Sequence, residues 1–248
     1  MRTSAFLYPW DVLGDPHAAD RLADLGPDRA TLASAYHSTR ALTPRHPARR
    51  IVTARHSAVY YPASPARWRG RRLRPYAQDW LPSADPFGEA AGALLGAGVE
   101  VHSWVVLAHN SRLGGEFPAS TVHNAYGEPY PWAPCIARPE VVEYAADLAA
   151  EAAVRPGATG TELESCGWYG LAHLHAHDKT GGVPLGPVGQ FLMSLCFCGV
   201  CRRGYGDGAD ALRAAVLAAL EPLWRGAPEP AAGEEWAAVG AAIGAGPA

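Results

Sequence analysis

Hydrophobic positions in the first quarter of the chain follow two different spacings. Ser4–Trp10 is a short apolar and aromatic run, which predicts a buried strand. Leu22–Tyr36 carries its large apolar residues at helical spacing, so we expect a helix there. Ile51–Tyr61 is β-branched and aromatic and stops at Pro62, which predicts a second strand.

The rest of the chain continues this alternation of apolar runs and amphipathic segments. Val99–Leu107 has a continuous apolar end, as buried parallel strands have, and Thr159–Ser165 is predicted to be a fourth strand. Asp85 is expected to cap a helix, and Pro139 to open one. The predicted helices are Ala90–Leu95, Glu140–Ala153, Val188–Cys196 and Ala209–Trp224. Strands that alternate with helices favour a parallel β/α architecture with right-handed crossovers.

Composition and charge exclude several classes of partner. The 248 residues have a net charge of −3 and a pI near 6.4, so no overall charge excess points to nucleic acid or to a membrane surface. No apolar run reaches the roughly 18 residues that a membrane span requires. The N-terminus lacks a secretory signal, and a cytoplasmic protein is therefore expected. Arg40–Arg74 is rich in arginine, which is typical of a solvated loop, and we expect no nucleic-acid partner.

The five cysteines are concentrated in the second half of the chain. Three of them, Cys196, Cys198 and Cys201, form the motif C-F-C-G-V-C. A thiol cluster in a chain without a signal peptide favours a metal over disulfides, and zinc takes four tetrahedral ligands. The fourth ligand is either Cys135 or Cys166. An all-cysteine site would be structural. The alternative is that these residues are small buried hydrophobes.

The motif T-E-L-E-S places two carboxylates on one face of the fourth predicted strand. Glu162 and Glu164 are two residues apart, so Leu163 lies on the opposite face. In a barrel their face would be the interior, with Glu164 nearer the C-terminal rim, where it could act as a general acid. The alternative is that both glutamates pair with arginine or are solvated at a strand edge.

Aromatic and polar residues follow the predicted strands. Aromatic rings beside hydrogen-bonding groups suit a polyhydroxylated ligand, because sugar rings have apolar faces. His173, His175 and His177 could bind a divalent metal, but a polar loop that lines a pocket is the commoner explanation. The predicted substrate-binding residues are Trp10, Asp11, His56, Tyr60, His109, Asn110, Glu162, Trp168, His175 and His177.

Three motifs together resemble a known family. P-C-I-A-R-P-E-V-V-E-Y, then T-E-L-E-S, then C-F-C-G-V-C, is similar to the pattern of glycoside hydrolase family 42 β-galactosidases and of actinobacterial barrel proteins described only as glycosidase-like. The resemblance implies that Glu164 is the acid/base carboxylate. It also implies a structural zinc bound by Cys135, Cys196, Cys198 and Cys201. The chain departs from the family at Leu163, where asparagine is usual, and no later strand supplies the nucleophilic carboxylate.

The resemblance and the element count together define the expected fold. We expect an α/β fold of parallel β/α units that forms a partial, half TIM-like barrel with about four clear strands. Its domain would cover residues 1–226, with a cysteine-rich zinc-type insertion at 135–201. An Ala/Gly/Pro-rich tail would occupy 227–248.

Three functional alternatives remain open from the sequence. The first is a glycoside-hydrolase-like protein that acts on or binds a carbohydrate and is incomplete as a catalyst. The others are a non-catalytic carbohydrate-binding module and a zinc-stabilised interaction module. We expect a carbohydrate ligand and no membrane partner. An open four-stranded sheet also implies a homodimer or a missing C-terminal half, because unpaired strand edges attract further strands.

Overall fold

The computed structural model describes residues 2–173, 178–183 and 185–229. The chain divides into two compact units. The first unit comprises Met1–Arg112 and Pro139–Cys166, and the second comprises Leu113–Arg138 and Gly167–Ala248. The predicted boundary between residues 226 and 227 stays a prediction, because most of the tail lies outside the described residues.

Nine strands and eight helices are present in the described part of the chain. The strands are β1 Ser4–Leu7, β2 Arg29–Tyr36, β3 Thr39–Leu42, β4 Ile51–Ala54, β5 Ala58–Val59, β6 Glu100–Val106, β7 Thr121–His123, β8 Pro129–Pro134 and β9 Ala158–Glu164. The helices are α1 Pro9–Val12, α2 Ala18–Asp24, α3 Pro86–Gly96, α4 Ser111–Glu116, α5 Pro139–Ala153, α6 Pro187–Ser194, α7 Gly199–Gly204 and α8 Ala209–Trp224. None of these helices has both the length and the hydropathy that a membrane-spanning helix requires.

A mostly parallel sheet forms the core of the first unit. Its order is β1-β2-β6-β9, and β5 lies antiparallel beside the end of β2. The inner strands β2 and β6 are buried along most of their length, whereas β1 and β9 are largely exposed or half-buried. Helices α3 and α5 pack on this sheet through apolar residues such as Phe87, Leu94 and Leu148. The chain is therefore a mixed α/β protein with four parallel strands.

The helix predicted over Leu22–Tyr36 is wrong. Helix α2 ends at Asp24, and Arg29–Tyr36 is instead the second parallel strand. Gly26, at a φ of 73°, and Pro27 separate the two elements. Strand β2 is buried on both faces, so it lacks the polar alternation that usually identifies a strand, and Leu32 continued the helical spacing by coincidence.

The strand predicted over Ile51–Tyr61 is only partly correct. It is divided into β4 and β5 by the segment Arg55–Ser57, and neither half is a parallel strand of the sheet. Strand β4 forms an antiparallel hairpin with β3, in which Leu42 faces Ile51. The β-branched signal was therefore correct for extended backbone but wrong for its place in the fold.

Most other elements agree with the sequence-based prediction. The Asp85 carboxylate caps α3 by accepting a hydrogen bond from the Gly88 N–H at 3.0 Å. Helix α5 begins at Pro139, where a missing N–H costs nothing. Strands β6 and β9 lie within one residue of the predicted bounds.

The second unit has its own apolar core. Strands β7 and β8 form an antiparallel pair, and α6 and α8 pack together. The apolar core consists of Ala125, Val188, Leu192, Met193, Phe197, Leu212, Val216, Leu220 and Leu223. A separate buried cluster surrounds the cysteines and is described below.

Candidate functional site

Glu164 lies at the carboxyl end of β9, on an exposed edge of the first unit's sheet. It pairs in register with Val106 of the neighbouring β6. Its Oε2 accepts a hydrogen bond from the Trp104 indole Nε1 at 2.7 Å. The indole is mostly buried, at 8% exposure, and its hydrogen bond orients the exposed carboxylate. The structure thus contains the fourth predicted strand, and Glu164 is its last residue.

Three aromatic rings contact the indole that binds this carboxylate. We call Phe6, Tyr8, Tyr36 and Trp104 the aromatic platform. The Trp104 ring contacts Phe6 at 4.9 Å, Tyr36 at 4.7 Å and Tyr8 at 5.6 Å between centroids. Phe6 is 60% exposed, which leaves the platform open to solvent on one side. Such a surface offers flat apolar contacts next to a carboxylate.

The two platform tyrosines stay protonated near neutral pH. Burial is the main cause that raises the pKa of Tyr8, and its hydrogen bond with Tyr36 raises that pKa further. Burial also raises the pKa of Tyr36, while the hydrogen bond with Tyr8 opposes that increase. Both hydroxyls are therefore neutral groups that can donate and accept hydrogen bonds, as ligand hydroxyls require.

Glu162 differs from Glu164 in its surroundings. Its Oε1 lies 3.1 Å from Nδ1 of His102 and 3.9 Å from Nη2 of Arg29. The alternative that these glutamates pair with basic groups therefore fits Glu162. Glu164 is instead hydrogen-bonded to the neutral indole of Trp104.

The residue after Glu164 has a strained backbone. Ser165 has a φ of 56°, in the left-handed region that favours glycine. The Leu107 N–H donates to the Glu164 carbonyl at 2.9 Å, and the Ala108 N–H donates to the Ser165 carbonyl at 3.2 Å. These bonds fix the strand end despite the strain, which is of the order of 1–3 kcal/mol at such positions.

Several predicted binding residues lie beneath or beside the platform. Trp10 is completely buried and stacks on Tyr8 at 4.4 Å, and Tyr60, also completely buried, contacts Trp10 edge-on at 5.6 Å. The Asp11 carboxylate accepts a hydrogen bond from the Tyr8 N–H at 2.9 Å, and burial raises the pKa of Asp11. These side chains support the rings from behind.

His109 and Asn110 follow β6 and are buried in the first unit. The His109 ring contacts His37 at 4.7 Å, and His37 stacks on Tyr36 at 4.2 Å. Asn110 forms a hydrogen bond with Tyr144, whose pKa is raised to about 12 by burial. The His37 ring therefore lies between His109 and Tyr36 of the platform.

The other predicted binding residues are dispersed. His56 follows β4 and lines a polar pocket together with Arg55 and Ser57. Trp168 belongs to the second unit, where it contacts Phe191 edge-on at 5.5 Å. His175 and His177 lie outside the described residues.

Sequence reasoning missed most of the side chains that contact the two glutamates. Trp104 and His102 alternate on β6 as Glu164 and Glu162 do on β9, and each of them contacts the glutamate two residues beyond its own register partner. The shared spacing, H-S-W against E-L-E, was visible in the sequence. The register that joins the two strands was not.

The cysteine cluster of the second unit brings four sulfurs close enough together to hold a metal ion. The four sulfurs of Cys135, Cys196, Cys198 and Cys201 all lie within 4.8 Å of one another. From Cys135, the Sγ–Sγ distances are 3.7 Å to Cys196, 3.8 Å to Cys198 and 3.6 Å to Cys201. Four thiolates bound to zinc at about 2.3 Å would lie about 3.8 Å apart. Cys166 is exposed and outside the cluster, so Cys135 is the fourth member.

Backbone hydrogen bonds position these sulfurs. Cys135 directly follows β8, and its N–H donates to the Ser120 carbonyl at 2.9 Å. Cys198 precedes α7, where its carbonyl accepts from the Arg202 N–H at 2.9 Å. The Tyr205 hydroxyl donates to the Cys196 carbonyl at 3.0 Å. Buried side chains enclose the cluster, so it has the closed form of a structural metal site rather than a catalytic one.

The four thiols affect one another's ionisation. The thiol of Cys135 is the main cause that lowers the pKa of Cys198, by hydrogen bonding to its thiolate. The pKa of Cys201 is raised, first by its hydrogen bond with Cys135. Four thiolates this close would repel one another strongly without a cation. The cluster could therefore hold a metal ion whose charge offsets that repulsion.

Comparison with known proteins assigns the chain to no family. No family model and no curated protein matches the sequence. Among solved structures, the chain is similar to the crystal structure of beta-galactosidase from the psychrophilic Marinomonas ef1, with 12% sequence identity and a TM-score of 0.44. The match covers 91% of this chain and 27% of that protein, so the chain spans only about a quarter of its length.

Proposed function

We propose that the protein binds a carbohydrate on the aromatic platform and that Glu164 serves as the acid/base carboxylate of a glycoside-hydrolase-like site. One observation carries this proposal: Glu164 accepts a hydrogen bond from the buried Trp104 indole, beside the exposed Phe6 ring and two half-buried tyrosine rings, at the carboxyl end of a parallel strand. Ligand sites in parallel β/α folds lie at that end of the sheet.

The chemistry of each group fits a sugar. The apolar face of a sugar ring can stack on the exposed Phe6 ring, while the neutral hydroxyls of Tyr8 and Tyr36 exchange hydrogen bonds with sugar hydroxyls. A protonated Glu164 would give its proton to the glycosidic oxygen as the C–O bond breaks. The Trp104 N–H would then stabilise the carboxylate that remains.

Complete hydrolysis requires a second carboxylate. Retaining enzymes place it about 5–5.5 Å from the first, and inverting enzymes about 6.5–9.5 Å away. Glu162 lies on the same strand face but is paired with His102 and Arg29. We therefore propose that the four-stranded sheet is half of a barrel and that a second copy of the chain completes it. In such a homodimer, the partner would contribute the opposing carboxylate.

The strand edges support this dimer. Among the described residues, β1 pairs only with β2, and β9 pairs only with β6. A closed β/α barrel has eight strands, twice the number here, and leaves no unpaired edge. Leu163 exposes apolar surface on β9, one of these two outer strands. Light scattering after gel filtration should give a molar mass of twice that of the chain. The Leu163→Lys variant should have a molar mass closer to that of a single chain. A wild-type protein that stays monomeric at high concentration would refute the dimer.

Turnover and binding separate the enzyme from the binding module. We expect the wild-type protein to hydrolyse an aryl glycoside and the Glu164→Gln variant to lose this activity. Glu143→Gln, an exposed change in the same unit, is the matched control. If calorimetry detects sugar binding without turnover, and Glu164→Gln does not weaken that binding, the non-catalytic binding module is favoured. The pairing of Glu162 with His102 and Arg29 also supports that module.

We also propose that the cysteine cluster binds one structural zinc ion. The support is the donor set of four sulfurs at tetrahedral spacing in a buried position. Metal analysis of freshly purified protein should find close to one zinc per chain. If the protein contains zinc but neither binds nor cleaves a saccharide, the zinc-stabilised interaction module becomes the better explanation.

A further inference from the structure

A cavity of about 240 Å³ lies in the first unit, beside the outer strand β1. Leu7, the last residue of β1, lines it, whereas Phe6 of the aromatic platform points to the other face of that strand. Helices α1 and α2 and the segment after β3 form most of the wall. Pockets for drug-sized ligands have roughly 300–1,000 Å³, so this cavity suits a smaller molecule. We call it the Asp11 cavity, after a carboxylate that lines it.

Asp11 presents a carboxylate without a basic partner to this cavity. Its Oδ2 accepts a hydrogen bond from the Tyr8 N–H at 2.9 Å, and no other described residue donates to it or forms an ion pair with it. Burial is the main cause that raises the pKa of Asp11, because the carboxylate has lost water without gaining a cation. A cation inside the cavity would replace that lost hydration and be attracted to the carboxylate.

The other polar groups of the cavity do not compensate the Asp11 charge. Arg21 donates to both carboxylate oxygens of Asp15, with its Nη1 at 3.3 Å from Oδ1, so these two charges largely cancel. The Nδ1 atom of His46 accepts two backbone N–H bonds at 3.0 and 3.1 Å, and its Nε2 donates to a backbone carbonyl at 2.8 Å. A ring nitrogen that accepts carries no proton, so this imidazole is uncharged. Arg45 is exposed, where water and salt screen its charge.

The wall of the cavity is mainly apolar and partly open to solvent. It includes Leu7, Val12, Leu22, Leu25, Leu42 and Pro44. Leu25 is 74% exposed and Leu42 is 79% exposed. An alkyl chain that covered these two side chains would bury apolar surface, which favours binding. A purely apolar ligand would leave Asp11 without a cation, and a bare cation would leave the leucines in water. The ligand that fits therefore carries both groups.

We infer that the Asp11 cavity binds a small aliphatic ammonium compound, whose cation contacts the Asp11 carboxylate and whose alkyl chain packs against the leucines of the wall. This site is additional to the proposed carbohydrate site and does not depend on it. The shared chemistry is an ammonium group on a branched alkyl chain, which donates charge-assisted hydrogen bonds to a carboxylate. It has two sources, a monoamine or an α-amino acid whose own carboxylate would face Arg45.

Calorimetry on the full chain tests this inference with four probes. Isoamylamine carries both groups, isoamyl alcohol has the same shape without the charge, methylamine has the charge without the alkyl chain, and leucine is the free amino acid. We expect isoamylamine to bind at least about tenfold more tightly than the alcohol, since hydrogen bonds to charged groups are the strong ones. It should also bind at least about tenfold more tightly than methylamine, which cannot cover the leucines. Tighter binding of leucine than of isoamylamine identifies an amino acid as the source, and weaker binding identifies a monoamine.

Variants locate the binding in the cavity. Asp11→Asn keeps the size and can still accept from the Tyr8 N–H, but it removes the charge, so the amine-to-alcohol affinity ratio should fall to about one. Asp20→Asn is the matched control, because Asp20 is exposed on the face of α2 away from the cavity, and the full ratio should remain. Ala18→Leu places a larger side chain in the cavity wall and should weaken isoamylamine binding by at least about tenfold. Thermal melting of each variant checks that it is folded.

The outcomes for the inference and for the proposed function are distinct. If isoamylamine does not bind at millimolar concentration, the inference is overturned. Equal affinity for the amine and the alcohol, or for isoamylamine and methylamine, would also overturn it. A preference that survives Asp11→Asn, or binding that Ala18→Leu leaves unchanged, would place the amine outside this cavity and refute the assignment. Saccharide binding and turnover depend on the aromatic platform and Glu164, so the carbohydrate proposal is decided by its own measurements.

Discussion

The cysteine cluster of the second unit and the carboxylate of the first unit obtain their chemistry in opposite ways. The cluster uses four identical side chains, three of them buried, whose sulfurs all lie within 4.8 Å of one another. Glu164 depends on different residue types from four strands and lies on an exposed edge. A structural metal site is complete within its own fold, whereas a catalytic carboxylate needs an opposing group that its own strand does not supply.

This comparison separates stability from chemistry. Changes in the cluster should alter folding and metal content. Changes around Glu164 should alter ligand binding and turnover while the protein stays folded. Four variants test that separation.

The largest expected effect follows from Cys198→Ser. A zinc bound by four thiolates contributes a large part of a small domain's folding free energy, so loss of one ligand should release the metal. We expect the metal content to fall well below one per chain and the melting temperature to fall by at least about 10 °C. Elemental analysis and thermal circular dichroism measure both.

Cys166→Ser is the matched control, because this thiol is exposed and outside the cluster. It should keep the metal and the melting temperature of the parent protein. If Cys198→Ser retains both as well, the sulfurs do not form a metal site and the alternative of small buried hydrophobes is correct.

The second-largest effect is expected from Glu164→Gln, which should reduce turnover and leave stability nearly unchanged. Glutamine keeps the size and can accept from the Trp104 N–H, but it cannot transfer a proton. Turnover of an aryl glycoside should fall by about 100-fold or more, as expected when a general acid is lost. The melting temperature should stay within a few degrees of the parent. Steady-state kinetics and a thermal melting curve measure these two quantities, and Glu143→Gln is the control. Undiminished turnover in Glu164→Gln would rule out Glu164 as the general acid.

The elements that the sequence predicted correctly are those with local signals. The Asp85 cap, Pro139 and the amphipathic face of α5 define their helices without help from the rest of the fold. Strand β2 was mistaken for a helix because burial on both faces removes the alternation that identifies a strand. Arg29–Tyr36 is a strand because it lies between β1 and β6, and the local hydrophobic pattern does not show which strands are its neighbours.

The two candidate sites were predictable to different degrees for the same reason. Cys196, Cys198 and Cys201 are close in sequence, so their spacing alone indicated a metal site. Trp104 and Glu164 lie on separate strands and meet only through the register of β6 and β9. Sequence reasoning therefore found the carboxylate but not its hydrogen-bond donor.

A smaller effect is expected from Trp104→Phe. Phenylalanine keeps an apolar ring on the platform but removes the N–H that binds Glu164. A lost hydrogen bond to a charged group should reduce turnover by roughly tenfold or somewhat more. Kinetics on the same aryl glycoside measures this, and Trp224→Phe in the second unit controls for the loss of an indole. Equal turnover in both variants would mean that the Trp104 hydrogen bond does not contribute to the chemistry.

The smallest effect should come from Ser165→Gly, and its sign is informative. Ser165 has a φ of 56°, where glycine has no Cβ penalty, so the substitution should relieve strain. Glycine also gives the unfolded chain more freedom, which offsets part of that gain. We expect a net stabilisation of about 0.5–1 kcal/mol, seen as a melting temperature a few degrees higher. Ser165→Ala keeps the Cβ and should not be stabilised. If turnover falls in Ser165→Gly while stability rises, the strained residue helps to position Glu164. If the glycine variant is less stable than the parent, the backbone at this strand end stores no strain.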